Sequence, residues 1–207
     1  MSPIVCLDRM RIATVLTAVC ITLVLPACAS KPDKPQRFEL RGFSLAPPAA
    51  VKDEKPWSVA KQTPDLLVLG KPGEFESEVF IVQAAVITLP SFSSADALLQ
   101  HVKAAQKREM DPQRFRILKH EVSAQSMDGE TCALSHLEAV DRAVAGTTGP
   151  TANTMLETLT LTCPHPKNRN TGINATYSHQ YFPEDKDPRF VERGNAILGG
   201  LKLDGQL

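Results

Sequence analysis

The sequence predicts an α+β domain, built on an antiparallel sheet of about six to seven strands with two packed helices. Several β-prone segments are separated by short turn signals, which favours strands joined by hairpins. Two further segments carry apolar residues at helical spacing. The 207 residues are 43% apolar and 22% charged, a composition typical of a globular protein. Hairpin-connected strands with separate helices indicate the α+β class.

The first part of the predicted domain contains short candidate strands followed by a longer one. Arg37–Leu45 has spaced apolar residues, and Trp57–Lys61 and Leu66–Leu69 are short β-prone segments. Glu78–Thr88 is a nearly continuous run of β-prone residues. Such a run predicts a central strand that is buried on both faces.

A helix is predicted after this strand. Ser93 is followed three positions later by Asp96, the spacing of a capping box, in which the hydroxyl accepts a hydrogen bond from a free backbone N–H. The residues that share one helical face are Ala95, Leu98, Leu99, Val102 and Ala105. Asp111-Pro112 predicts the end of the helix.

Four more strands are predicted in the second half of the chain. They cover Arg114–Ala124, Glu130–Asp141, Met155–Cys163 and Ile173–Phe182. Asp128-Gly129 lies between the first two and is a strong signal for a tight hairpin turn. Residues 146–153 are expected to form a polar loop between the next two; these residues lie outside the part of the chain that the structure describes.

A second helix is predicted near the end of the chain. Asp187 is the expected N-cap, with Pro188 at the first helical position. Its apolar face would contain Phe190, Val191, Ile197, Leu198 and Leu201. Gly199-Gly200 is expected to end it.

The N-terminal segment has the features of an export signal. Ile12–Leu25 is a run of 14 uncharged, mostly apolar residues, preceded by Arg9 and Arg11. This run is shorter than the roughly 20 residues that span a bilayer, but it fits the apolar region of a signal peptide. We therefore predict a signal peptide over residues 1–27. Met10 is a plausible true start, because it stands directly before the charged and apolar regions.

Leu25-Pro26-Ala27-Cys28 resembles the lipobox of bacterial lipoproteins. The resemblance implies that the signal is cut before Cys28 and that this cysteine carries lipid. The absence of Asp directly after Cys28 implies an outer-membrane address rather than retention at the inner membrane. Two alternatives remain open: an ordinary secretory signal cut near Ala27 or Ala29, and an uncleaved membrane anchor.

The remaining chain divides into a tether and one domain. Residues 28–36 comprise the lipidated Cys28 and a Pro- and Lys-containing stretch expected to be extended and flexible. Residues 37–207 are expected to form a single periplasmic domain. Because residues 1–27 contain two arginines and one aspartate, the remainder has 21 basic and 22 acidic residues. This balance gives no electrostatic signature of nucleic-acid binding, so the expected membrane partner is reached through the lipid.

The order of the elements is similar to that of the PsbP-like fold. The similarity lies in the early strands with Trp57, the helix after an apolar strand, the meander, and a last strand leading into an amphipathic helix. It covers most of residues 37–203 and depends on element order. The resemblance implies a noncatalytic binding or assembly role by analogy only.

Cys132 and Cys163 are predicted to form a disulfide, because an even pair of cysteines in an exported domain favours one. If the second and third of the four later strands form a hairpin, pairing these cysteines sets Leu134 opposite Leu161, Val140 opposite Met155 and Glu138 opposite Glu157. The alternative is a zinc site that adds His136 and His165. It is disfavoured, because Cys132 and His136 would lie about 13 Å apart along a strand.

No catalytic residue, metal site or cofactor is predicted. Ser135-His136 and Ser178-His179 place a hydroxyl beside an imidazole, but adjacent strand residues point to opposite faces. His179 is expected to be a hydrogen-bonded core histidine. The acidic segment Glu184–Asp187 lacks the spacing of a calcium loop and is expected to be a charged turn.

These observations favour a lipid-anchored, noncatalytic binding or assembly module of the cell envelope, with an envelope protein as a possible partner. Two alternatives differ in class. One is a periplasmic hydrolase that uses His120, His136 or His179 as a base. The other is a carrier of a small molecule or lipid, which a large apolar pocket would favour.

Overall fold

Two antiparallel sheets organise the domain. The computed structural model describes residues 37–52, 54–75, 78–142 and 154–203. The larger sheet has seven strands in the order β3-β4-β5-β9-β8-β7-β6. Its strands are β3 (Ser58–Thr63), β4 (Leu66–Pro72), β5 (Val79–Thr88), β6 (Phe115–Met127), β7 (Glu130–Asp141), β8 (Thr154–His165) and β9 (Asn168–Tyr181). The predicted α+β class and the strand number are confirmed.

A second sheet of three strands is formed by segments from the two ends of the domain sequence. Its order is β1-β2-β10, with β1 at Phe38–Leu40, β2 at Phe43–Leu45 and β10 at Leu201–Lys202. Leu201 pairs with Leu45, so this residue belongs to a strand and not to the last helix as predicted. Phe43, Leu45 and Leu201 are fully buried, and they join the small sheet to the main hydrophobic core.

The hairpin between β6 and β7 is formed by the predicted turn. Asp128 has φ 49° and Gly129 has φ 85°, so both central residues adopt the left-handed conformation. Two successive positive φ angles are the requirement of a type I′ turn, whose twist matches that of the flanking strands. Asp128 also accepts a hydrogen bond from the backbone N–H of Leu203, at 2.9 Å.

Helix α1 spans Ala95–Glu109 and packs on β6 and β7. Ser94, and not the predicted Ser93, is the N-cap: its Oγ accepts a hydrogen bond from Ala97 N at 3.2 Å. Leu98 and Val102, which belong to the predicted apolar face, are buried. They form a small core cluster that includes Ala133 of β7.

Helix α2 spans Phe190–Leu198 and begins later than predicted. Asp187 does not cap it. Instead, Asp187 Oδ1 accepts a hydrogen bond from Arg189 N at 2.9 Å in the preceding turn. The buried residues of the helix are Phe190, Gly194 and Leu198, whereas Val191 is exposed, because it lies away from the sheet.

The two helices pack on opposite faces of the larger sheet. Ala133, which contacts α1, lies opposite Thr162, and the next pair, Leu134 and Leu161, faces the other side. Gly194 of α2 lies against Leu159, which shares that other side. β5 buries Phe80, Val82 and Ala84 on the α2 side, whereas none of its residues on the α1 side is fully buried. The prediction that this strand is buried on both faces was wrong.

Among the helices within the described ranges, none is both long and apolar enough to span a bilayer.

Candidate functional site

A row of charged and aromatic side chains crosses the larger sheet on the face covered by α2. Its members occupy directly opposite positions on five neighbouring strands, so they share this face. In order across the strands they are Glu138, Glu157, His179, Phe80 and Lys71. Charged side chains are rare beneath a helix unless they are paired, and each charged member of this row has an oppositely charged partner or a histidine–carboxylate partner.

His179 lies at the centre of this row and is completely buried. Its Nε2 is 2.8 Å from Glu78 Oε1, and its ring stacks between Phe80 and Tyr181, at centroid distances of 4.0 and 4.5 Å. Burial lowers the pKa of His179, and the hydrogen bond that its imidazole donates to Glu78 opposes that shift. Nδ1 has no hydrogen-bond partner among the described residues. The neutral imidazole is thus held as a donor to a carboxylate.

Glu157 is the second buried member, with a residue exposure of 2%. His136 Nε2 lies 2.7 Å from its Oε1, and the Tyr181 hydroxyl donates to Oε2 at 3.4 Å. Burial raises the pKa of Tyr181, so this phenol remains a donor. Glu138, opposite Glu157, is paired with Lys186 at 2.9 Å. Separate partners therefore relieve the like-charge pairing that the predicted register implied.

Lys71 is the buried cation at the other end of the row. Only 6% of the residue is exposed, and its ammonium pairs with Glu54. Its Nζ also stands 4.7 Å from the centroid of Phe80 and 5.3 Å from that of Trp57. Glu54 contacts Arg193 as well, at 3.0 Å. The hydrogen bond from Lys71 lowers the pKa of Glu54.

An open groove of about 750 Å³ lies above this end of the row; we call it the acidic groove. Six carboxylates and four basic side chains line it. The carboxylates are those of Glu54, Glu74, Glu78, Glu184, Asp185 and Asp187. Phe75, which is 51% exposed, stands at its wall.

Most of the basic groups in the acidic groove are already paired. Lys71 and Arg193 both contact Glu54, and Lys186 contacts Glu138 outside the groove. In contrast, the carboxylates of Glu74, Glu184 and Asp185 form no ion pair with any residue that the structure describes.

The excess of unpaired carboxylates in the groove affects the pKa of Asp185. Desolvation raises the pKa of Asp185, and the negative charges of Glu184, Glu78 and Glu74 raise it further. The groove therefore presents concentrated negative charge.

A second, less polar groove of about 340 Å³ lies beside the acidic groove. Trp57, Tyr177 and Ile197 contribute to its walls, together with the segment that contains Pro47 and Pro48. We call this second groove the apolar groove. It shares Glu54, Lys71 and Arg193 with the acidic groove, so the ion pairs of these side chains lie between the two grooves.

The predicted cysteine pair is joined in the structure. The Sγ atoms of Cys132 and Cys163 are 2.07 Å apart, with a Cα separation of 4.3 Å. The register of β7 and β8 is the one that the disulfide predicted: the pairs are Leu134 with Leu161, Val140 with Met155, and Glu138 with Glu157. Oxidation of both thiols leaves them unavailable as metal ligands or nucleophiles.

The histidines considered for zinc or catalysis have other partners. His136 pairs with Glu157, and His165 Nε2 lies 3.0 Å from the Gly42 carbonyl oxygen. His120 Nε2 lies 2.8 Å from Gln106 Oε1. Across residues 37–52, 54–75, 78–142 and 154–203, no group of three or more metal-ligating side chains is arranged to hold an ion.

Two further sequence expectations concern the acidic segment and the lipidated cysteine. The acidic segment forms a 3-10 turn at Pro183–Asp185, as expected for a charged turn, and it supplies one wall of the acidic groove. Cys28 lies outside the described residues, so its lipidation remains a prediction.

Sequence reasoning missed most of the ionic residues of this site. In the sequence they are ordinary charged residues of predicted strands and turns: Glu54, Lys71, Glu78 and Glu157. The β7–β8 register placed Glu138 opposite Glu157, but only the added register of β9 and β5 brings His179 and Phe80 into the same row.

Comparison with known proteins yields structural likeness at low identity. No family model matches the chain, and no curated protein matches it. A Bacteroides thetaiotaomicron crystal structure is 12% identical, with a TM-score of 0.41 over 81% of this chain and 48% of that one. This chain therefore spans about half the length of that protein.

Two further solved structures are similar at the same level of identity. The solution structure of cyanobacterial PsbP (CyanoP) from Synechocystis is 12% identical, with a TM-score of 0.38 over 82% of this chain and 92% of that one. Human StAR-related lipid transfer protein 5 is 12% identical, with a TM-score of 0.26 over 72% and 86%.

Proposed function

We propose that this chain is a lipid-anchored periplasmic lipoprotein whose domain is a noncatalytic binding module of the cell envelope. The observation that supports binding is the open acidic groove, which lies beside a fully buried histidine. His179 is 0% exposed and stacks between Phe80 and Tyr181, so a ligand in the groove has no access to its imidazole. The groove offers charge and aromatic surface for recognition, while the nearest candidate base is sequestered.

The attachment to a membrane depends on the lipobox at Cys28. Two or more acyl chains give stable anchoring, whereas one chain gives marginal binding. A Cys28→Ser variant is expected to leave the membrane fraction and appear in the soluble periplasmic extract. Continued fractionation of this variant with outer membranes would contradict the lipoprotein assignment.

Site-specific photocrosslinking in intact envelopes tests the binding role. A photoreactive residue at Phe75 reports on the acidic groove, and one at Leu118 serves as the matched control. Leu118 is 49% exposed, on the edge strand β6 at the opposite side of the sheet. We expect a discrete crosslinked product from position 75 that is absent from position 118. Identical products from both positions would argue against a dedicated binding surface there.

The carrier alternative has one observation in its favour. The apolar groove of about 340 Å³ is near the lower end of the size range of ligand sites, roughly 300–1,000 Å³. Native mass spectrometry of protein extracted from envelopes would show a bound lipid or small molecule if the domain carries one. Replacement of Ile197 by Trp, which fills this groove, should then abolish that added mass.

A further inference from the structure

The face of the larger sheet on which α1 packs carries no charge over four of its strands. Helix α1 packs mainly on β6 and β7. On the strands beyond it, the side chains of this face alternate with buried ones and are themselves partly or fully exposed. Among these described side chains none is charged. We call them the open face; they belong to residues 66–72 of β4, 79–85 of β5, 155–159 of β8 and 174–180 of β9.

The half of the open face on β4 and β5 is mostly apolar. Leu66 and Val68 project from β4, and Val79 and Ile81 project from β5, on the side opposite to Lys71 and Phe80. The solvated side of an antiparallel sheet normally carries polar residues. Depletion of charged residues is the compositional mark of the core of a protein–protein interface. This half therefore has the composition of a surface that a partner covers.

The half on β8 and β9 is polar, but its polar groups are paired with one another. Thr176 Oγ1 lies 3.1 Å from Thr160 Oγ1 and donates a hydrogen bond to Asn174 Oδ1 at 3.3 Å. Asn174 Nδ2 donates to Thr162 Oγ1 at 3.0 Å. Burial of a polar group costs much less free energy when the group keeps its hydrogen bond. A partner can therefore cover this half without leaving these groups unsatisfied.

The size of the open face suits a second copy of the chain. Strand segments of about seven residues, with a rise of about 3.3 Å per residue and a spacing of about 4.8 Å, give a flat area of roughly 450 Å² over four strands. Two such faces bury roughly 900 Å², close to the about 1,000 Å² expected of a specific interface. A symmetric dimer needs a patch that is complementary to itself, and an uncharged face brings no like charges together.

We propose that the open face is the interface of a homodimer, in which the larger sheets of two copies of this chain pack face to face. Because α1 fills the layer above β6 and β7, the copies fit when their twofold axis runs along the strands. This axis places β5 of each copy over β9 of the other, in the aligned packing common to stacked sheets. It also places α1 of each copy beside the edge strand β3 of the other, which enlarges the contact.

This inference goes beyond the proposed binding role and does not depend on the lipid at Cys28. Photocrosslinking between two full-length copies that carry different affinity tags tests it in intact envelopes. Gln83, an exposed member of the open face, receives the photoreactive residue, and Leu118 on β6 is the matched control. We expect position 83 to give a product that contains both tags and position 118 to give none. A product that joins one copy to a different protein, or no product, overturns the proposal.

Charge variants locate the interface. Because Gln83 is exposed in the single copy, Gln83→Lys should fold. Its ammonium would be buried without a partner in the dimer, so the amount of the second copy that co-purifies should fall by about tenfold or more. Gln83→Met, which is uncharged and similar in size, and Leu118→Lys, which adds the same charge elsewhere, should leave it unchanged. Equal co-purification of the Gln83→Lys and Gln83→Met variants overturns the proposed location.

Failure of this inference can be distinguished from failure of the proposed function. If position 75 captures a discrete envelope partner but position 83 never joins two copies, the binding role stands and the dimer is wrong. If position 83 joins two copies but position 75 captures nothing specific, the dimer stands and the binding role of the acidic groove is wrong.

Discussion

Glu78 and His179 are 101 residues apart in the chain and form a 2.8 Å hydrogen bond inside the domain. Glu78 also accepts two hydrogen bonds from the turn that precedes it. Glu78 Oε2 accepts from Glu74 N at 2.7 Å, and the Glu78 carbonyl accepts from Gly73 N at 2.8 Å. Glu78 therefore links residues 73 and 74, which form one wall of the acidic groove, to His179 at the centre of the sheet.

Removal of this carboxylate should destabilise the domain. Glu78→Ala leaves the buried imidazole N–H without an acceptor, at a cost of about 1–3 kcal/mol in the free energy of unfolding. Urea denaturation measures the change. Glu74→Ala, at an exposed position in the same turn, should alter stability by about 0.5 kcal/mol or less. Equal effects of the two substitutions would contradict a structural role for the pair.

The stability of the domain should fall as pH decreases below about 6.5. Burial lowers the folded-state pKa of His179 from the ordinary value of 6.5. Between the two pKa values the unfolded chain binds more protons, so protonation favours unfolding. The stabilisation is complete above pH 6.5 and is lost as pH falls towards the folded-state pKa.

Unfolding free energies at pH 7.5, 6.5 and 5.5 test this dependence. His179→Gln keeps an N–H donor but cannot titrate, so its stability should vary less steeply over that interval. A residual slope is expected, because burial also lowers the pKa values of His120 and His165. A slope identical to that of the unaltered protein would show that His179 does not contribute.

Gly194 is expected to tolerate no side chain. A Cβ there would lie 2.9 Å from Leu159 Cδ2 and 3.0 Å from Tyr177 Cδ1, both in the core. Overpacking costs about 1–3 kcal/mol, whereas the gain in helix propensity from Gly to Ala is about 1 kcal/mol. Gly194→Ala should therefore lower the melting temperature. The exposed neighbour Asn195→Ala, which only improves propensity, should not; a rise for both would refute the close packing.

Reduction of the Cys132–Cys163 disulfide should lower stability by roughly 3–4 kcal/mol, because the bond closes a loop of 31 residues and restricts the unfolded chain. Denaturation with and without dithiothreitol measures this difference. The double variant Cys132→Ala/Cys163→Ala should resemble the reduced protein and be insensitive to the reductant. A sensitivity that persists in this variant would indicate another cause.

The sequence was most informative where local signals agree with the tertiary structure. Asp128-Gly129 predicted the β6–β7 hairpin, because few residues adopt two successive positive φ angles. The cysteine pair Cys132 and Cys163 predicted the register of the neighbouring β7–β8 hairpin. The ends of the helices were less predictable. Ser93 and Ser94 are chemically equivalent caps, and the choice between them depends on how Leu98 and Val102 meet the sheet.

The candidate site could not be derived from the sequence for a different reason. Glu157, His179 and Lys71 are brought into one row only through the registers of three strand pairs, and an error of one residue in any of them moves a side chain to the other face. The turn that contains Glu78 also lacks any motif that would connect it with a histidine 101 residues later.

The Cys132–Cys163 disulfide has one more consequence, which concerns proteolysis. The bond joins β7 to β8, and the connection between these strands runs over residues 142–153. A cut in that connection leaves two fragments that remain covalently linked and paired along the β7–β8 ladder. The nicked chain would migrate as one species on a gel without reductant and as two with it. A domain with this arrangement can lose the continuity of its backbone and keep its architecture.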